Sequence, residues 1–482
     1  MQLFCEAEEM KQIDDYISNH FKKIFLILTG TFLILYLVLT GKDNIWMDEA
    51  FSFALVRHSF SEIWTITAAD VHPPLYYWYL KVLTAPFHYS MRAAQIASVL
   101  PYLFILVFGG MQFRKYFSDR TAVLFMVMFF CYPFALSYSV EVRMYALASA
   151  CVFACAVFAY RFWREQGCWK DMAGLIISGV LSAYSHYFAF VSVCIIYGLL
   201  LMAIAAGRKR LCKKWLFIVI ASIILYLPWL SSFVNQLVYK VNNEYWIADI
   251  TVKTLFDYWK TLFGAGGIST YAWFFSVSYL VCIVWVLIRG DKADVLLSTC
   301  CLLIPVGTLA VGVLASILVR PVFIIRYLVP SIPLLVAFMA IVLGKVSSDI
   351  LLSGILTIVL VGGISNYGTT LQSKYLGQNY LPIEEYSGVD AYIVVGNTHL
   401  SCVLGYYVTD ENIYSDRLIV PNPFPNVVPL DTFEPGSANN AIMLLNVDEQ
   451  PFAEYYDAYD VEYLGMWKSE TLSEAYLLTK KP

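Results

Sequence analysis

The chain has 482 residues, 59% of them hydrophobic and 14% charged, with a formal net charge of −4 at pH 7 and a mean hydropathy of +0.65. Soluble domains average about 45–50% apolar and about 25% charged residues. So much apolar surface excludes a single water-soluble core and calls for a polytopic membrane protein. The balance of charge comes with no basic tail and no nucleic-acid motif, so no nucleic-acid partner is expected.

The first 23 residues are polar, and the apolar run at 24–39 follows Lys22 and Lys23 and ends in TGKDN. No small-residue cleavage site closes it, so it reads as a retained signal anchor. Apolar stretches long enough to cross a bilayer then recur at 94–112, 121–138, 143–162, 172–185, 187–206, 215–232, 271–288, 295–318, 327–344 and 350–366. With the first they predict about eleven transmembrane helices. Basic residues concentrate in FRKYFSDR (113–120), RFWREQGCWK (161–170) and GRKRLCKK (207–214). By the positive-inside rule these loops, and the N-terminal segment 1–23, are cytoplasmic. The loops at 41–93 and 233–270 and the tail from 368 onward then lie outside. No internal repeat is visible.

The chain carries 11 cysteines. Cys131, Cys151, Cys155, Cys194, Cys282, Cys300 and Cys301 sit in apolar segments, where a thiol behaves as a small hydrophobe. No Cys-x-x-Cys or His–Cys metal pattern appears.

The loop at 41–93 is too rich in pattern to be a mere connector. It opens on NIWMDEAFSF, with the adjacent carboxylates Asp48 and Glu49, and continues into ADVHPPLYYWYL. Paired prolines are tolerated at the first turn of a helix and not in its middle, so a helix should begin near 71–74, with Asp70 as its N-cap. His72 then falls at the positive end of that helix, where an anion is welcome. A carboxylate pair and an anion-binding helix start would share one outer loop. The bland readings are acids wetting an interface and an aromatic belt of Tyr76, Tyr77, Trp78 and Tyr79.

Two further arginines, Arg143 in SVEVRMYAL and Arg326 in RPVFIIRYLVPSIP, fall at outer span ends, against the positive-inside trend. Snorkelling to headgroups explains either one alone. Both on the face of His72 favour a phosphate site. His186 in YSHYF is expected to face the same outer cavity, and Glu141 is an alternative partner for Arg143.

The tail, 368–482, holds sixteen Asp and Glu against five Lys and Arg, a balance of −11. AYIVVG and AIMLLN read as buried strands, EQPFAEYYDAY as a short helix and AYLLTK as a last strand. VPNPFPNVVP reads as a loop. The expectation is a small extracytoplasmic α/β domain after a transmembrane domain at 24–367.

WMDEAFS followed by DVHPPLYYW resembles the first outer loop of the GT-C membrane glycosyltransferases, in the branch of the protein O-mannosyltransferases and lipid A aminoarabinose transferases (family 39, Rgt-like in bacteria). EVRMYAL, YSHYF and the RYLVPSIP segment are similar to family segments at corresponding places. The resemblance implies a GT-C fold and Asp48 as catalytic base. It implies His72 near the lipid phosphate, where other members carry lysine, with Arg143, Tyr145, Arg326 and Tyr327 around it. It also implies inversion at the anomeric carbon and no required divalent ion, although Asp48, Glu49 and Asp70 could supply ligands for one.

The chemistry agrees with the residue types. A sugar on a polyprenyl phosphate leaves as an anion that needs charge stabilisation, which Arg143, Arg326 and His72 supply. The acceptor must lose a proton, which Asp48 can take while Glu49 shares or orients that role. No nucleotide-binding loop is present or needed. The acceptor (envelope glycan, lipid or protein) is open, and Tyr76, Trp78, Tyr145, and Trp246 or Trp259 are candidates to line the sugar pocket. A lipid or polysaccharide transporter would instead place charges along mid-span pathways, and a scaffold would make Asp48 dispensable and the acidic tail essential.

Overall fold

A computed structural model describes residues 2–41, 45–242, 247–264, 269–376, 381–386, 388–447, 451–469 and 471–482. Trp246 lies outside them. In chain order, α1 (Gln2–Val38) is followed by three short helices, α2 (Met47–Arg57), α3 (Phe60–Ala69) and α4 (Leu75–Thr84). Then come α5 (Met91–Tyr116), α6 (Asp119–Cys131), α7 (Pro133–Ser137), α8 (Tyr145–Arg164), α9 (Trp169–Ser185), α10 (Tyr187–Gly207) and α11 (Cys212–Asn242). The helical part closes with α12 (Val252–Phe263), α13 (Ser269–Arg289), α14 (Lys292–Leu318), α15 (Ile332–Leu343) and α16 (Asp349–Leu376). A 3-10 segment, Ile325–Ser331, leads into α15.

The protein is a multi-pass α-helical membrane protein with a C-terminal sheet domain. Among the described residues, nine helices are long and apolar enough to cross a membrane. Two of the eleven expected spans are not among them. The stretch 121–138 is broken where Tyr132 turns extended ahead of Pro133, leaving α6 with 13 residues and α7 with 5. A residue before proline is driven out of the helical region, and proline itself cannot donate to the preceding turn. The other, α9, has 17 residues, about 26 Å of helix.

The chain divides into two compact units. One comprises residues 1–40, 72–76 and 94–371; the other comprises 41–71, 77–93 and 372–482.

In the helical unit, small residues let backbones approach, as membrane helices require in the absence of a hydrophobic drive between them. A side chain at Gly109 of α5 would collide with Phe125 of α6, and one at Gly363 of α16 with Cys131. Buried polar groups pin helix ends. Arg120 donates to Val346 O at 2.7 Å and to Leu343 O at 3.3 Å, satisfying carbonyls that end α15. Arg161 of α8 pairs with the fully buried Asp171 of α9 at 2.8 Å.

In the second unit, six strands form one sheet in the order β3-β2-β1-β4-β6-β5: β1 (Ala391–Val394), β2 (Asn412–Ser415), β3 (Val427–Pro429), β4 (Asn440–Asn446), β5 (Tyr459–Lys468) and β6 (Leu472–Lys480). The first four pair in parallel, β4 with β6 and β6 with β5 antiparallel. α17 (Thr398–Tyr407) makes the crossover from β1 to β2 that a parallel pair needs, and α18 (Ala453–Ala458) precedes β5. All four residues of β1 are buried, as are five of the seven in β4, which is why both read as unbroken apolar runs. VPNPFPNVVP is not wholly a loop: its last three residues before Leu430 form β3 and pair with β2. Cys402 is buried and forms no disulfide among the described residues.

Candidate active site

The outer-loop acids sit in the first turn of α2. Carboxylates there face the free N–H groups and positive end of the helix. Glu49 is buried and Asp48 partly so, and Glu49 to Val56 are buried without interruption. An eleven-residue helix is marginal alone in water, so packing must fix it. Phe53, 1% exposed, lies 4.8 Å from the ring of Tyr406 in α17. Lys81 Nζ of α4 donates to Val56 O at 2.9 Å, occupying a carbonyl at the end of α2. His58 Nε2 is 2.8 Å from Pro423 O, in the proline-rich segment of the C-terminal domain. The helix bearing the two acids is thus gripped by the C-terminal domain.

The expected N-cap role of Asp70 is not what the structure has. Asp70 is the C-cap of α3, its N–H bonded to Ile66 O at 3.1 Å, and α4 begins five residues later at Leu75. The two prolines fill the gap, because neither can join the turn that Asp70 closes.

The cationic candidates gather in the helical unit. His186 is the single residue between α9 and α10. Its N–H closes α9 onto Ser182 O, while its Nδ1 accepts the Phe188 N–H at 3.2 Å as N-cap of α10. With Nδ1 used as acceptor, the ring proton belongs on Nε2, which is left as a donor. Around this imidazole stand Tyr327 at 5.0 Å, Tyr145 at 5.6 Å and His72 at 6.2 Å between ring centroids. Burial holds the His186 imidazole well below its usual pKa, and His72, Arg143 and Arg326 push it the same way. Arg143 is 2% exposed, a guanidinium buried in a place where charge is costly unless matched.

The backbone explains how these residues meet. Arg143 lies in the turn before α8, its N–H bonded to Glu141 O at 2.8 Å, and Tyr145 opens the helix. Ser149, one turn on, donates to Val329 O at 3.1 Å, tying α8 to the 3-10 segment that carries Arg326 and Tyr327. That segment is held in turn by Ser316, whose Oγ accepts the N–H groups of Val322 and Phe323 at 3.2 and 3.0 Å.

Two aromatics that were not singled out join the cluster, Phe188 at the end of the YSHYF segment and Tyr138 outside every quoted motif. Tyr138 packs edge-on to Tyr145 at 5.2 Å and Phe188 stacks on Tyr327 at 5.4 Å. In a chain with 35 Tyr and 32 Phe, residue type alone could not single them out. Two of the aromatics weighed for a sugar pocket have these partners. Trp78 donates to Phe60 O at 3.1 Å and stacks on Trp64, and Trp259 donates to Ser276 Oγ at 2.9 Å against Trp273. Tyr76 is fully buried. Among the described residues no group of three or more His, Cys, Asp or Glu is arranged to hold a metal ion.

The family model for dolichyl-phosphate-mannose-protein mannosyltransferases matches residues 71–231, a segment that carries His72, Arg143, Tyr145 and His186. Among solved structures, ArnT from Cupriavidus metallidurans in the apo state has the same fold, with a TM-score of 0.65 at 13% identity, covering 94% of this chain and 97% of that one. The same protein bound to undecaprenyl phosphate gives a TM-score of 0.63 over the same shares, again at 13% identity. No curated protein sequence matches the chain. Over residues 71–231 the chain is thus similar to the dolichyl-phosphate-mannose-protein mannosyltransferases, and over nearly its whole length it shares the fold of ArnT.

Proposed function

We propose that the protein transfers a sugar from a polyprenyl-phosphate donor to an acceptor at the outer face of the membrane. The observation that carries this reading is the cluster of His72, Arg326, the buried Arg143 and the Nε2 donor of His186, basic and donor groups suited to an anionic phosphate. That a solved ArnT binds undecaprenyl phosphate supports a polyprenyl phosphate as the group held there.

In this mechanism the cations stabilise the departing lipid phosphate, which leaves as an anion and needs no general acid. Asp48 takes the acceptor's proton as its oxygen or nitrogen attacks the anomeric carbon, and Glu49 orients that step. A single displacement inverts the anomeric centre. Asp70 follows α3 on the same outer loop and contributes to the donor's surroundings, and Tyr145 and Tyr327 line the phosphate site. No divalent ion takes part. The acceptor is an envelope glycan, lipid or protein. Eleven spans put the N-terminus in the cytoplasm and the loop 41–93 and the domain 368–482 outside, with α9 and the broken α6–α7 pair completing the count within the transmembrane domain 24–367.

The test is release of polyprenyl phosphate from a panel of lipid-linked sugars in proteoliposomes, with wild type and Asp48→Asn. Release by wild type and its loss in Asp48→Asn, with donor binding retained, is the expected result. Equal release by both moves the base to another residue, Glu49 first.

A further inference from the structure

A second cavity lies at the opposite end of the helical unit. It is a half-open cleft of about 450 Å³ between α8, α10, α14 and α15, within the range of small-molecule sites. α8 links the two ends: Tyr145 at its start belongs to the cationic cluster, and Trp163, eighteen residues on, lines this cavity, about 27 Å along the axis. The two sites are therefore separated by nearly a bilayer's thickness. The loops at its mouth, around Ser118, Arg164, Asp291 and Lys345, are those of the basic end of the bundle, cytoplasmic in the orientation proposed above.

The depth of the cavity points to its occupant. The lining reaches from Lys345 at the mouth, just past the end of α15, to Leu334 near its start, eleven residues apart or about 16 Å, which is about half of the hydrocarbon thickness. That is the reach of one leaflet. The wall is Ala156, Ala203, Leu200, Ile304 and Leu334 with little polar interruption. The mouth differs. Trp163 Nε1 is buried with no hydrogen-bond acceptor, and so is Nη1 of Arg208, whose guanidinium lies over the Trp163 ring at 4.5 Å. Two neighbouring buried donors without an acceptor are costly; Arg208 reaches the cleft through Trp163, and Arg164, Lys345 and the acid Asp291 line it with that indole.

We propose that this cavity binds one anionic glycerophospholipid of the inner leaflet, an acyl chain in the apolar slot and the phosphate on Trp163 Nε1–H and Arg208 Nη1–H. Basic pockets between helices at the cytoplasmic side suit such headgroups, and a guanidinium beside an indole N–H supplies directed donors to phosphate oxygens. A polyprenyl chain would far outrun a slot one leaflet deep.

The test uses the full chain in detergent with spin-labelled phosphatidylglycerol, reading the motionally restricted component of the spectrum. One tightly held lipid per protein is expected. Trp163→Phe, which keeps the ring and loses the donor, and Arg208→Gln should each weaken retention about tenfold. Ala203→Trp should fill the slot and abolish it. Monodisperse elution of each variant shows that it folds. Retention unchanged in Ala203→Trp, or equal retention of phosphatidylcholine, overturns the proposal. So does displacement by inorganic phosphate alone, which marks a headgroup-only anion site, or stronger displacement by polyprenyl phosphate than by phosphatidylglycerol. Glycosyl transfer is not the readout, so this result stands apart from the catalytic reading.

Discussion

Phe53→Ala tests whether the C-terminal domain holds the proposed base in place. Phe53 is 1% exposed and packed on Tyr406, and removing a buried phenyl ring costs about 3–5 kcal/mol. The other anchors of α2, Lys81 to Val56 O and His58 to Pro423 O, are single hydrogen bonds worth about 1 kcal/mol each. The ring is therefore the largest single anchor, and without it α2 shifts or frays. A displacement of about 1 Å at a reacting group costs on the order of 100-fold in rate. In proteoliposomes, kcat for release of polyprenyl phosphate should fall by about 100-fold, while KM for the donor changes little, because the cations proposed to bind the phosphate stand on other elements. Phe53→Leu retains most of the buried carbon and should recover about tenfold of the loss. Circular dichroism and monodisperse elution establish that the helical unit is intact. A folded Phe53→Ala enzyme with wild-type kcat refutes the reasoning: either α2 does not need the sheet domain, or Asp48 is not the base.

His186→Asn keeps a side-chain acceptor for the α10 N-cap and removes the Nε2 donor, so donor KM should rise about tenfold with Tm near wild type. His186→Ala loses the cap as well and should cost about 1 kcal/mol more in stability. Arg143→Lys replaces a planar fork by a point charge and should raise donor KM by roughly tenfold or more, seen in the same release assay. Gly344→Ala forces a methyl onto the Thr121 hydroxyl, an overpacking expected to cost about 1–3 kcal/mol and to lower the melting temperature without altering KM. At the exposed start of α3, the Ser59 side-chain hydrogen bond holds the Glu62 carboxyl below its usual pKa. The capping box is therefore intact above the ordinary carboxylate range and opens as pH falls through the lowered value; exchange of the Ser59 amide, which donates to Glu62 Oε2 at 2.8 Å, should report this, and Ser59→Ala, which keeps that backbone donor, should reduce the pH dependence without abolishing it.

Much of the fold was legible because the bilayer and the buried sheet impose simple patterns. Long apolar runs became long helices, and AYIVVG and AIMLLN became β1 and β4 because strands covered on both faces carry no polar alternation. What escaped was short or polar. β2 has four residues and β5 exposes several of its ten, so neither shows a run above the noise of its surroundings. β3 hides in a proline-rich stretch because a three-residue edge strand needs only Val427 and Val428 before Pro429. The broken span at Tyr132–Pro133 was marked by its proline, but hydropathy continues across it and masks the break.

The site divides in the same way. Residue chemistry named Asp48, His72, Arg143, His186 and Arg326, since charges at the ends of apolar spans are few enough to stand out. Local geometry was harder to read. DVHPP suggested that Asp70 caps the helix after it, yet the aspartate closes the helix before it, because a side-chain cap can serve a new helix only when the intervening residues supply N–H groups to receive, and Pro73 and Pro74 have none. His186 carried the opposite surprise. It reads as one more interfacial histidine, but by ending α9 and starting α10 it fixes its own ring: the backbone consumes Nδ1 and leaves Nε2–H as a donor among His72, Arg143 and Arg326. A helix junction thus determines which ring nitrogen of His186 carries the proton, in a residue proposed to bind phosphate, and that coupling is invisible until both helix ends are known.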